Sequence, residues 1–78
     1  MPTALRSGPY RLFFYSGDRN EPSHVHVERD QGTAKFWLEP VRLQSSSGFR
    51  PREVRRIQRV VERYCDRLLR SWNAYFRE

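Results

Sequence analysis

Apolar and polar residues alternate along the first half of the chain in the pattern of β-strands. The alternation is clearest at His24-Val25-His26-Val27, and the apolar run Ala34-Lys35-Phe36-Trp37-Leu38 follows after a short polar stretch. Leu12-Phe13-Phe14-Tyr15 is aromatic and predicts a further strand. Weaker strand signals lie around Ala4–Arg6 and Val41–Leu43, the second of them before the serine-rich segment Ser45-Ser46-Ser47-Gly48. We therefore predict a small antiparallel sheet of three to five strands within residues 1–49.

The second half of the chain has the spacing of an amphipathic helix. Pro51 suits a first helical turn, and apolar residues then recur every three or four positions. These residues are Val54, Ile57, Val61, Tyr64, Leu68 and Trp72. A continuous helix from Pro51 to Arg77 would be about 40 Å long, about twice a typical strand, so it must overhang the sheet, break, or cover a partner. The predicted fold is α+β in a single domain, residues 1–78, with a sheet part (1–49) packed on a helical part (50–78), either one long helix or a helix broken in two.

The pairing of the two central strands follows from their apolar pattern. If Gln31-Gly32 forms a two-residue turn, Val27 faces Phe36 and His26 faces Trp37. One face of the sheet then carries Val25, Val27, Phe36 and Leu38, and the other carries His24, His26, Glu28, Lys35, Trp37 and Glu39. Arg11, Phe13 and Tyr15 are expected on the same face as the histidines. The helix is expected to cover the apolar face.

Positive charge is concentrated in the helical part. The chain has 15 Lys and Arg against 9 Asp and Glu, a net charge of +6, and nine of the arginines follow residue 49. A row of arginines falls opposite the apolar side of the predicted helix: Arg52, Arg56, Arg59, Arg63, Arg67 and Arg70. Arginine makes bidentate contacts with phosphate and carboxylate, so the row indicates a polyanion or an acidic protein surface. The alternative is an ordinary solvated helix.

Composition narrows the class of protein further. No apolar run approaches the length of a membrane span, and the N-terminus lacks the apolar segment of a signal peptide. The single cysteine, Cys65, rules out an internal disulfide bond and fits a reducing compartment. We therefore expect a cytoplasmic protein without a membrane segment. A core this small would gain from a partner subunit, and a homodimer remains open.

Three kinds of chemistry are open to the histidine pair. His-x-His on a strand resembles part of a metal site, but neither Glu28 nor Glu39 is a confident third ligand, so no metal and no cofactor is predicted. Acid–base catalysis is the second, with His24 and His26 as acid and base and Lys35 beside them, as metal-independent RNA cleavage would require. The third is structural: His24 ties the preceding loop to the strand, and His26 stacks on Trp37.

The face that carries the histidines also suggests binding. Arg11, Phe13, Tyr15 and Trp37 place aromatic and cationic side chains together, which suits stacked bases of single-stranded RNA or a docked protein. The alternative is that another part of the chain, or a second copy, buries this face.

Several segments together resemble a known family. The pattern runs from Asn20-Glu21-Pro22-Ser23-His24-Val25-His26-Val27 through the lysine strand to Trp72-Asn73-Ala74-Tyr75-Phe76. It is similar to the small prokaryotic proteins grouped as domain of unknown function 4160 (DUF4160), and the resemblance covers nearly the whole chain. It implies that His24, His26, Lys35 and Asn73 are the family's polar positions.

The same resemblance implies a biological setting. Members are often encoded beside another small protein, in an arrangement like that of toxin–antitoxin pairs. We therefore expect one component of a two-gene module that binds RNA and could also cleave it, with the adjacent gene's product as its partner. The alternative is a non-enzymatic interaction module whose aromatic sheet face docks that partner.

Overall fold

The five strands form one antiparallel sheet in which each strand pairs with the next along the chain. The structure, a computed structural model, describes residues 3–76, so Met1, Pro2 and the last two positions of the predicted helical part lie outside the described residues. The elements in chain order are β1 (Thr3–Ser7), β2 (Tyr10–Phe13), a short 3₁₀ helix (Ser16–Asn20), β3 (His24–Arg29), β4 (Gly32–Leu38), β5 (Val41–Ser47), α1 (Pro51–Arg63) and α2 (Cys65–Phe76). The α+β fold predicted from the sequence is therefore present.

The hydrophobic core lies between the sheet and the two helices. Leu12, Val25, Val27, Phe36 and Leu38 from the sheet are almost fully buried, and they meet Ile57, Val61 and Leu68 from the helices. Helix α1 packs against β4 and β5, and helix α2 packs against β1 and β4. The apolar positions read from the sequence at helical spacing are the ones that enter this core.

The predicted long helix is broken in two at Tyr64. This residue leaves helical geometry (φ −106°, ψ 15°), although its N–H still donates to the Val60 carbonyl at 3.1 Å. The Leu68 N–H likewise donates to the Tyr64 carbonyl at 2.8 Å, so hydrogen bonds span the break. The break resolves the length problem, since Trp72, near the end of the helical part, is buried against Phe14 with ring centroids 5.3 Å apart.

The turn between β3 and β4 differs from the sequence prediction by one position. Arg29 pairs with Gly32, so the turn residues are Asp30 and Gln31, and Gln31-Gly32 is wrong as the turn. Asp30 takes the positive φ of 52° that aspartate tolerates. Moving the turn by one position shifts the pairing by two residues, which leaves every side chain on its predicted face. Phe36 therefore faces Val25, and Trp37 faces His24.

Gly32 is the first residue of β4, and the ring of Phe49 packs over it. A Cβ at this position would lie 2.5 Å from Phe49 Cε1, well inside van der Waals contact. The serine-rich segment is part of the sheet, because Ser45, Ser46 and Ser47 belong to β5.

Candidate functional site

His24 begins β3 and is completely buried between two tryptophans. Its ring centroid lies 5.6 Å from that of Trp37 and 5.0 Å from that of Trp72. Its Nδ1–H donates to the Pro22 carbonyl at 2.8 Å, which ties the loop before β3 to the strand. This contact matches the structural alternative for His24. A fully buried ring is poorly placed to touch a polymeric substrate.

His26 is half-buried on the same face. Its ring stacks on Phe13, with centroids 5.5 Å apart and planes 27° apart, and Tyr15 meets its edge at 4.7 Å. The expected stacking of His26 on Trp37 is wrong. The two-residue shift in pairing places Lys35 opposite His26 and gives Trp37 to His24.

Asp18 joins the two histidines from the 3₁₀ helix. Its Oδ2 lies 3.0 Å from His26 Nε2 and 3.1 Å from His24 Nε2, and it also accepts the Tyr15 N–H at 2.9 Å. The Asp18 N–H donates in turn to the Tyr15 carbonyl at 3.0 Å, which fixes the first turn of the helix over the sheet. We call Asp18, His24 and His26 the histidine cluster. Their ligand atoms all lie within 4.8 Å of one another.

The cluster holds a carboxylate beside a neutral imidazole at neutral pH. Burial alone would raise the pKa of Asp18, but the Tyr15 N–H and the two imidazoles outweigh it and hold that pKa below its ordinary value. Burial lowers the pKa of His26, because the imidazolium form loses hydration, and this outweighs the attraction of Asp18. His26 Nε2–H therefore donates to Asp18.

The other cations of this face are already paired. Lys35 Nζ lies 2.6 Å from Glu21 Oε1 and 5.0 Å from the Trp37 ring centre. Arg11 Nη1 lies 2.6 Å from Glu28 Oε1, and its guanidinium covers the Phe13 ring at 4.4 Å. These ion pairs leave little uncompensated positive charge for a phosphate beside the histidines.

A cleft of about 350 Å³ borders this face. It is lined by Phe13, Tyr15, His26, Val27, Thr33, Ala34, Lys35 and Ser45–Ser47. Tyr15 is 47% exposed, whereas Phe13 is 2% exposed and serves the packing of His26 instead of an open surface. The face is therefore largely filled by its own side chains and by the 3₁₀ helix.

The arginine row lies apart from the cluster, on the helices. All six side chains are exposed, and within residues 3–76 none of them forms an ion pair with a carboxylate. We call this set the arginine face: Arg52, Arg56, Arg59, Arg63, Arg67 and Arg70. Arg63 also covers the Tyr64 ring at 5.6 Å, which is its one aromatic contact in the described part of the chain. No ion pair within residues 3–76 therefore neutralises the charge of this face.

The family assignment follows from comparison with known proteins. The model of a domain of unknown function, DUF4160, matches residues 10–73, which include β2–β5, the histidine cluster, all of α1 and most of α2. The chain belongs to the DUF4160 family. No curated protein and no solved structure matches it significantly. Neither helix of this DUF4160 protein is long and apolar enough to cross a membrane over the residues described.

Asp18 is the site residue that the sequence reasoning missed. It lies six positions before His24 in a loop with no periodic pattern, so spacing along the chain does not point to it. Its sequence signal is weak: a carboxylate between Gly17 and Arg19 in the segment that precedes the histidine strand. The 3₁₀ helix brings it onto the sheet, where the considered alternatives, Glu28 and Glu39, do not reach the histidines. Asn73 is exposed near the end of α2, outside the cluster.

Proposed function

We propose that this DUF4160 protein binds single-stranded RNA through the arginine face, as one component of a toxin–antitoxin-like two-gene module. The observation that carries the proposal is a row of six exposed arginines without carboxylate partners among the described residues. Guanidinium groups bind phosphates bidentately, and phosphate contacts supply most non-specific affinity for nucleic acid. The two-gene setting is supported by the family resemblance.

The spacing of the arginine face suits an extended polyanion. Arg52, Arg56, Arg59 and Arg63 are three or four residues apart and share one side of α1, and Arg67 and Arg70 are three residues apart on α2. Along α1, the row from Arg52 to Arg63 runs about 17 Å. The helical part, residues 50–78, has four carboxylates, Glu53, Glu62, Asp66 and Glu78, against nine arginines, so its carboxylates are too few to neutralise the arginine face.

The geometry around the histidine pair does not favour RNA cleavage, which leaves RNA binding as the proposed activity. His24 is inaccessible, and Lys35 and Arg11 are held by Glu21 and Glu28. A base, an acid and a free cation around one phosphate, which metal-independent cleavage needs, are not assembled there among residues 3–76. The aromatic docking surface of the alternative function is reduced to Tyr15 and Trp37, because Phe13 is buried.

Two variants with the same loss of charge test the proposal. Arg59→Gln with Arg63→Gln removes two central members of the arginine face, whereas Arg6→Gln with Arg42→Gln removes two exposed arginines of β1 and β5. Fluorescence anisotropy with a short labelled single-stranded RNA measures the RNA affinity of both double variants. At about 0.1 M salt we expect the first pair to weaken binding about 25-fold, from about fivefold per lost phosphate contact. The control pair should stay within about threefold of the unmodified chain, since its side chains touch no phosphate.

Equal weakening by both pairs would contradict the proposal, since it would mean that net charge and not the helical face attracts the RNA. Binding of polyglutamate as tight as that of RNA would also contradict it, because it would indicate an acidic protein as the partner.

A further inference from the structure

The buried ring of His24 has a nitrogen without a hydrogen bond in the described part of the chain. Its Nδ1–H donates a hydrogen bond to the Pro22 carbonyl. In the neutral ring the other nitrogen, Nε2, is therefore unprotonated and holds a lone pair. Nε2 is buried and lies 3.1 Å from Asp18 Oδ2, yet the pair lacks the geometry of a hydrogen bond. A proton on Nε2 would therefore not point at the carboxylate, and a bare lone pair facing an anion is repelled. A cation between the two atoms removes both difficulties.

His26 and Asp18 supply the remaining ligands. Asp18 Oδ2 lies 3.0 Å from His26 Nε2, and all three ligand atoms are within 4.8 Å of one another. Ligands bound tetrahedrally at about 2.0 Å from an ion are about 3.3 Å apart, so both contacts of Asp18 already have this scale. Small side-chain movements would bring the three atoms around one ion.

We propose that the histidine cluster is a binding site for a divalent transition metal of the zinc type, held by His24 Nε2, His26 Nε2 and the Asp18 carboxylate. Two imidazole nitrogens with one carboxylate suit zinc and its neighbours, whereas magnesium and calcium prefer oxygen ligands alone. Binding requires that the His26 proton move from Nε2 to Nδ1. Three protein ligands leave a fourth position for water or another ligand, as in zinc sites that perform chemistry.

The surroundings already orient these ligands. The Pro22 carbonyl fixes the tautomer and rotation of His24, in the way that outer hydrogen bonds orient metal-binding histidines. The Tyr15 N–H holds Asp18 Oδ2 at 2.9 Å, and Trp37 and Trp72 flank His24. The bound ion would fasten the 3₁₀ helix to β3. The site is separate from the arginine face, so it can be tested without reference to RNA binding.

Calorimetric titration of the chelator-stripped chain, free of any histidine tag, with zinc chloride tests the proposal. We expect one zinc ion per chain and at least tenfold weaker binding by Asp18→Asn, since removal of even an outer partner of a metal site costs about 10–100-fold. Asp30→Asn makes the same chemical change at an exposed turn residue and should bind as the unmodified chain does. Cys65→Ser should also bind normally, because the thiol is not a ligand in this proposal.

A second measurement on the unmodified chain does not depend on the folding of any variant. Long-range proton–nitrogen spectra of the two histidines should show Nε2 of both rings shifting with one equivalent of zinc, and the melting temperature should rise. Absence of zinc binding, binding that Asp18→Asn leaves unchanged, or binding that Cys65→Ser abolishes would each overturn the proposal. So would shifts confined to one ring.

Discussion

Replacing Gly32 by alanine should destabilise the protein through a single contact. The added Cβ would lie 2.5 Å from Phe49 Cε1 and 2.7 Å from Cζ, so the ring must move. Phe49 is half-buried and packs edge-on against Tyr10 at 6.5 Å, which allows part of that movement. Overpacking costs about 1–3 kcal/mol, and the partial freedom of the ring places Gly32→Ala at about 1–2 kcal/mol.

The effect of Gly32→Ala on the free energy of unfolding should change sign once the Phe49 ring is removed. Gly32 does not have a positive φ, so alanine fits its backbone, and alanine is favoured over glycine inside a strand by about 0.5–1 kcal/mol. In a Phe49→Ala background, Gly32→Ala should therefore stabilise the protein by about 0.5 kcal/mol. The coupling free energy between the two positions is then about 2 kcal/mol.

Urea denaturation followed by tryptophan fluorescence measures all four chains of this cycle. Gly17→Ala is the matched control, because a Cβ there meets nothing within 4 Å, and its effect should stay within about 0.5 kcal/mol. An equal cost of Gly32→Ala in both backgrounds would refute the reasoning. It would indicate that Gly32 is needed for a left-handed turn, as the Gln31-Gly32 turn of the sequence prediction supposes, and not for contact with Phe49.

Three further predictions concern other parts of the molecule. Burial raises the pKa of the Cys65 thiol, so fewer thiolates exist near pH 8 and alkylation by iodoacetamide should be slower in the native chain than in urea; equal rates would contradict this. The folded-state pKa of Asp18 is lowered, so its stabilisation is present above its unfolded value of about 3.9 and is lost as pH falls through the folded value. The free energy of unfolding of the metal-free protein should accordingly fall more steeply below about pH 4 than that of Asp18→Asn. Parallel pH dependence of the two free energies would argue against stabilisation by the contacts of the Asp18 carboxylate with the Tyr15 N–H and the two imidazoles. In co-expression with the adjacent gene, growth arrest by one component alone should be relieved by the other, and no effect in any combination would remove the two-gene proposal.

Most of the fold could be predicted from the sequence because its strands and helices have strong periodic patterns. Alternation around His24-Val25-His26-Val27 places Val25 and Val27 in the core, and helical spacing places Ile57 and Val61 there. The pairing of β3 with β4 was harder to predict. A register shift of two residues leaves each side chain on the same face of the sheet, so the alternation of apolar and polar residues is the same for both registers. The positive φ of Asp30 in the turn and the packing of Phe49 on Gly32, a long-range contact, both accompany the observed register.

Only part of the candidate site could be predicted from the sequence. The sequence marks both histidines, but their third neighbour comes from an irregular loop whose path depends on tertiary contacts. Asp18 reaches the pair because its carboxylate accepts the Tyr15 N–H and so closes a turn over the sheet. The ion pairs of Lys35 and Arg11 also depend on tertiary contacts, since Glu21 and Glu28 come from other segments. Conversely, the exposure of the arginine face follows directly from its position opposite the apolar side of the helices.

Salt titration of RNA binding separates phosphate contacts by the arginine face from other modes of association. For single strands the logarithm of the binding constant falls against the logarithm of salt concentration with a slope of about −0.7 per neutralised phosphate, so six contacts give about −4. Removing Arg59 and Arg63 together should make that slope less steep by about 1.4, while removing Arg6 and Arg42 should leave it unchanged. A slope near zero, or one that the two pairs of substitutions change equally, would contradict RNA binding by the arginine face.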